Sequence, residues 1–260
     1  MSPSVGIRWG PGRVMFSRYA FAWAYLGCYL AAEFAWVLLT PPAQATLTAW
    51  ASTNVANLEH EPVGPLVLSA FVGPGSVLIW PALIALAAFG ANRALGNART
   101  ALVCTAGHVI GSLVSEGIVA DRVDGGQLPV SSRHLTDVGP SYMVVSAIVI
   151  AAVYGTWLAR AAAGVDFAVL VIGGHIFAGL SHLDVSAVGH LTALVTVAAA
   201  VTLPLARRHR PPSEALPEPA PAGSGAQCQC GPQVSPDRVA LEPVTTTPNV
   251  VDPPAATEPL

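Results

Sequence analysis

The chain has 260 residues, 53% of them hydrophobic and 10% charged, with a mean hydropathy of +0.56. A soluble domain carries charge on about a quarter of its residues, so this composition excludes a water-facing globular surface and leaves lipid as the solvent. The net charge of −3 decides nothing, because the charges are clustered by segment, and every basic residue is an arginine.

Residues 1–18 form a short N-terminal segment with Arg8, Arg13 and Arg18, and an apolar run from Tyr19 to Thr40 follows. That run is too long for a signal-peptide core and has no small-residue cleavage site before Thr40-Pro41-Pro42. It reads as a first membrane span, interrupted by Glu33. Residues 41–65 are polar without arginine. The apolar stretch Leu66–Gly90 is broken by Gly73-Pro74-Gly75, so its first part reads as an interfacial segment and Ser76–Ala91 as the second span. A crossing takes ~20 apolar residues, which places a third span at Thr100–Ala120. A charged loop follows at 121–138, with Asp121, Arg122, Asp124, Arg133 and Asp137. Three more spans are expected at Ser141–Leu158, Phe167–Leu180 and Val185–Leu205. The expected fold is therefore all-α, a six-span membrane domain over residues 19–205.

Arginine placement orients it, since cytoplasmic loops are rich in basic residues. Arg8, Arg13, Arg18, Arg93, Arg99, Arg160, Arg207, Arg208 and Arg210 all fall on one side of a six-span bundle. Both termini are thus expected in the cytoplasm, with the protein in the cell membrane. From Pro211 onward Pro, Ala, Glu, Ser and Thr dominate, and residues 206–260 read as a disordered cytoplasmic tail. Cys28 and Cys104 lie in apolar helices, and Cys228-Gln229-Cys230 supplies too few ligands for a structural zinc site. No internal repeat of the kind many transporters show is present.

Ionisable groups inside a membrane are costly and normally face a bundle interior or an aqueous cavity. Glu33, His108, Glu116, Asp137, Ser141, His175, His182, Asp184 and His190 make up the polar set, and most belong to one end of the bundle. In Asp137-Val138-Gly139-Pro140-Ser141-Tyr142 a G-x-S opens the fourth helix, expected to run Met143–Leu158 and end at Arg160. In Val185-Ser186-Ala187-Val188-Gly189-His190-Leu191 a His follows a Gly on the sixth. A hydroxyl at a helix start facing an imidazole on a neighbouring helix is the minimum for acyl transfer. The same residues have plainer readings: Ser141 as an N-cap, His190 bonded to a backbone carbonyl, and Asp137 and Asp184 as carboxylates at helix starts.

With these motifs the chain resembles the rhomboid intramembrane serine protease superfamily, in a divergent actinobacterial-type form, over roughly Asn54 to Leu205. Family members carry G-x-S-G at the start of the fourth span and A-H-x-x-G in the sixth. Gly139-Pro140-Ser141-Tyr142 and Gly189-His190-Leu191-Thr192-Ala193 fall at those places. The resemblance implies Ser141 as nucleophile and His190 as base. It also implies a first loop partly submerged at 41–72 and a turn at Arg93-Ala94-Leu95-Gly96. Tyr142 stands where the family has Gly, and Ser76-Val77-Leu78-Ile79-Trp80 lacks the family's His and Asn at the start of the second span. Gly139, His108 and Ser112 are the candidates to support an oxyanion instead.

Three functions remain open at this point: a protease cleaving transmembrane substrates, an inactive relative that binds transmembrane helices, and a small transporter or channel using the His and acidic residues. The expected partners are membrane lipids and a transmembrane substrate or client. No cofactor, no metal and no nucleic acid is expected.

Overall fold

The computed structural model describes residues 16–73 and 78–202, and the expected tail at 206–260, with Cys228 and Cys230, lies outside them. Its first helix, α1 (Ala20–Val37), starts without a cap of its own. Two asparagines distant in sequence provide one. Asn97 Oδ1 accepts the Phe21 amide and Asn92 Oδ1 the Ala22 amide, both at 3.1 Å. Their Nδ2 groups donate back to Ser17 O (2.7 Å) and Arg18 O (3.0 Å).

The stretch expected to be a polar loop and interfacial segment is helical in three pieces: α2 (Pro41–Ala51), α3 (Val55–His60) and α4 (Val63–Leu68). The chemistry is local. Pro41 and Pro42 occupy the first positions of α2, where a missing N–H costs nothing. Asn54 Oδ1 accepts the Asn57 amide at 2.9 Å to cap α3, and Glu61 Oε1 accepts the Gly64 amide at 3.0 Å in the first turn of α4.

Helices α5 (Ile79–Leu95) and α6 (Asn97–Asp124) are joined by Gly96 alone, whose φ of +77° is open to glycine and strained for other residues. The 28 residues of α6 measure about 42 Å, longer than the ~30 Å of bilayer hydrocarbon. Asp121, Arg122 and Asp124 therefore belong to its protruding end, where the sequence placed a loop.

The fourth span also differs from expectation. α7 (Ser141–Tyr154) stops at Gly155, whose Cα is pressed so closely by the Ala151 carbonyl and Ala159 that no side chain fits. Thr156 Oγ1 then accepts the Ala159 amide at 3.4 Å, starting α8 (Trp157–Ala168). The helical path continues through a π turn at Val169–Gly173. The fifth apolar segment thus begins at Trp157, and Arg160 lies in its first turn, with Nη2 on Val153 O at 3.1 Å. The last described helix is α9 (Val185–Thr202).

By length and composition α1, α6 and α9 are able to cross a membrane, while α5 and α7 are shorter apolar helices. No strand occurs among the described residues. α7 is central, buried continuously from Tyr142 to Ile148. Around it the other helices turn large apolar side chains outward, among them Leu78, Leu102, Trp157 and Ile172, all more than 65% exposed. Large apolar side chains exposed in such number mark a surface that meets lipid or another protein. Close packing inside comes from small residues. Gly107 and Gly111 on α6 lie against Ser146 and Tyr142 of α7 and against Val197, Ala193 and Gly189 of α9, the small-residue seam by which membrane helices approach.

Candidate functional site

The segment before α7 is held at both sides. Ser52 Oγ accepts the Asp137 amide at 2.9 Å, the Asp137 carbonyl accepts the Thr53 amide at 3.0 Å, and the Thr53 hydroxyl shares its one proton between that carbonyl and Asp137 Oδ2, both at 3.1 Å. Two residues on, the Gly139 amide donates to Ser69 O at 2.8 Å. That amide is therefore committed and not aimed at a ligand. Gly139 has a φ of +140° with open space where a Cβ would be, so the backbone conformation, and not crowding, requires glycine there. The turn delivers Ser141 as the first residue of α7. Its hydroxyl is half-buried and caps nothing; it makes no hydrogen bond with any described residue, His190 included.

His190 lies about a turn and a half into α9 and is buried. Its Nδ1 sits 2.5 Å from the Ser186 carbonyl and 3.3 Å from the Ser186 hydroxyl. A carbonyl only accepts, so in the neutral ring Nδ1 carries the proton and Nε2 keeps a lone pair. Nε2 is buried near the Ile176 carbonyl without a well-formed hydrogen bond.

The neighbour that fixes the imidazole is Tyr142. The two rings meet edge to face, centroids 4.8 Å apart and planes at 84°, a favoured aromatic geometry. The phenol lies directly on Gly189, where any Cβ would collide with it. Its hydroxyl donates toward Asp137 Oδ2 at 3.1 Å, with Oδ1 at 3.3 Å and Val185 O at 3.4 Å. Burial pushes the Asp137 carboxyl above its ordinary range, and the Tyr142 and Thr53 hydroxyls pull it back down. The sequence marks Tyr142 only as a departure from glycine. Its place against His190 depends on the approach of α7 to Gly189, which no local pattern shows.

A polar stripe on α6 completes the region. His108, Ser112 and Glu116 recur every fourth residue and so share one helix face. All three are buried. His108 Nε2 is shared between Leu66 O (2.9 Å) and Ser69 Oγ (3.2 Å), tying α6 to α4. His108 Nδ1, the Ser112 hydroxyl and both Glu116 oxygens lack well-formed hydrogen bonds. The His108 ring is 6.0 Å from that of Tyr142. Glu116 opens onto a groove of about 200 Å³ between α3 and α6, near the Val55 amide. A second cavity, about 460 Å³, lies at the mouth of the bundle between Arg122, Thr136, His182 and Val185.

The remaining polar residues disperse. Glu33 is buried within α1 and accepts the Tyr29 hydroxyl at 3.4 Å. His175, His182 and Asp184 are exposed in the segment before α9. Asp166 on α8 is fully buried with neither oxygen hydrogen-bonded, and it falls one residue before the expected start of the fifth span. Among the described residues, no three His, Cys, Asp or Glu side chains come together in a metal-binding group.

In comparison with known proteins, a family model described as a rhomboid-like protein matches residues 16–211. No curated protein and no solved structure matches the chain.

Proposed function

Because this chain belongs to the rhomboid-like protein family, we propose that it acts as an intramembrane serine protease, with Ser141 as nucleophile and His190 as base. The single observation behind this reading is the state of His190: Nδ1 is occupied by its own helix, while Nε2 is buried beside the Ile176 carbonyl without a well-formed hydrogen bond. That is the tautomer a general base needs. Ser141 would attack the substrate carbonyl as Nε2 takes its proton, and the imidazolium would return that proton to the leaving amine. Water would then hydrolyse the acyl-enzyme by the same exchange. Developing negative charge would meet the first amides of α7, which have no intrahelical acceptor, with the Ser112 hydroxyl as a further donor from α6; His108, whose Nε2 proton faces Leu66 O, would donate from Nδ1 only as an imidazolium. In this reading six crossings form the bundle: α1, α5, α6, α7, α8 with its π turn, and α9. Both chain ends share the arginine-rich cytoplasmic side of the cell membrane. The substrate is a transmembrane protein.

A second reading has its own support. No hydrogen bond joins Ser141 to His190, the Gly139 amide is already bonded to Ser69, and the Tyr142 ring packs on the imidazole. An inactive relative that binds transmembrane helices would tolerate all three. Co-expression with a panel of membrane-anchored reporters separates the two. Release of a soluble fragment by the native chain but not by Ser141→Ala supports the protease. Reporters that co-purify intact with both forms support the binding protein. Neither release nor co-purification contradicts both.

A further inference from the structure

We infer that Asp137 is a positioning residue for His190, acting through Tyr142 without touching the imidazole itself. The inference rests on the reading of His190 as the base and adds a residue to it. Four observations carry it. Asp137 cannot drift, because its amide is bonded to Ser52 Oγ and its carbonyl to the Thr53 amide, and both of those residues are buried. Thr53 Oγ1 also lies 3.1 Å from Asp137 Oδ2, which turns the carboxylate inward. The Tyr142 hydroxyl has one proton, and its nearest acceptors are that same Oδ2 at 3.1 Å and the Asp137 carboxylate's other oxygen. The ring so tethered lies edge to face with His190, over a glycine that leaves it no room to retreat.

The consequence is electrostatic as well as steric. When Nε2 takes a proton, the imidazolium forms with its centroid 4.8 Å from that of the Tyr142 ring, within the range over which an aromatic face attracts a cation. A phenol hydrogen-bonded to a carboxylate is more electron-rich than a free one, since chains of hydrogen bonds polarise each other. The titratable groups facing Tyr142 and His190 are Asp137 in the preceding loop and His108 and Glu116 on α6. Of these, only Asp137 is hydrogen-bonded to the phenol through its side chain in well-formed geometry. The buried segment Ser52-Thr53 is thereby linked to the base across the loop.

The test needs no substrate. The full chain, labelled with ¹⁵N-histidine in lipid nanodiscs, is titrated while the His190 ring nitrogens are followed, the assignment coming from their loss in His190→Gln. Asp137→Asn keeps an acceptor for the phenol but removes the charge, and Tyr142→Phe keeps the ring but cuts the tether. Each is expected to lower the His190 midpoint by about half a pH unit or more, with the double variant adding little. Ser146→Ala, which removes a hydroxyl bonded 2.7 Å from the Tyr142 carbonyl, is expected to leave it in place. Should the first two variants fail to fold, Thr53→Val decides, since it loosens the carboxylate without removing it and is expected to give a smaller shift of the same sign. Unmoved midpoints in the folded variants, or an equal shift in Ser146→Ala, overturn the inference. A native chain without proteolysis but with these shifts would sink the protease reading and leave the positioning role standing.

Discussion

Two polar regions of the bundle differ in how their side chains are matched: the turn between α5 and α6, and the stripe that α6 and α9 present beside Tyr142. At the turn, every polar atom of the Asn92 and Asn97 side chains has a partner, and Thr100 Oγ1 donates to Ala91 O at 3.2 Å. Along the stripe, His108 Nδ1, Ser112, Glu116 and His190 Nε2 are buried with hydrogen-bonding capacity unspent. An unmatched buried polar group costs roughly 1–3 kcal/mol. Unmatched groups of this kind are where a native fold carries a function or holds an ordered water.

Substitutions in the satisfied region should be the most damaging to folding. Asn92→Leu strands the Ala22 amide and the Arg18 carbonyl, and a loss of roughly 2–4 kcal/mol is expected in denaturation from mixed micelles. A loss below about 1 kcal/mol would mean that the trans-cap is not structural. Next is the seam between α7 and α9. Gly189→Ala drives a Cβ into the Tyr142 phenol, so about 1–3 kcal/mol should be lost and Tyr142→Leu in the same chain should recover much of it. The absence of recovery would separate the two residues. Smaller still, Thr100→Val removes one satisfied bond and should cost about 1 kcal/mol. Ser112→Ala deletes an unmatched hydroxyl and should be neutral or slightly stabilising. If Thr100→Val and Ser112→Ala cost the same, the contrast between the regions fails.

The sequence showed the satisfied region poorly and the open region well, for a physical reason. His108, Glu116, Asp137 and His190 stand out because charge is rare in apolar helices, so composition alone exposes them. Asn92 and Asn97 look like turn residues beside Gly96, and their bonds to α1 span seventy positions of sequence or more. The α7–α8 boundary was misplaced because Trp157-Leu158 continues the apolar run, while the break is written only in Gly155-Thr156. The helices α2 to α4 were hidden by polarity, although Pro41, Asn54 and Pro62 mark their starts. Tyr142 was legible as an anomaly and not as a partner, since its role appears only when α9 brings Gly189 beneath it.

The central claim is that the buried His190 serves as the base for Ser141. The most direct measurement is the rate at which a fluorophosphonate modifies Ser141 in the membrane-embedded native chain and in His190→Gln, with the adduct located by peptide mass spectrometry. The account predicts modification at Ser141 in the native chain and a rate lower by about 10²-fold or more without the imidazole. Equal rates in the two chains, or no adduct on native Ser141, would contradict it.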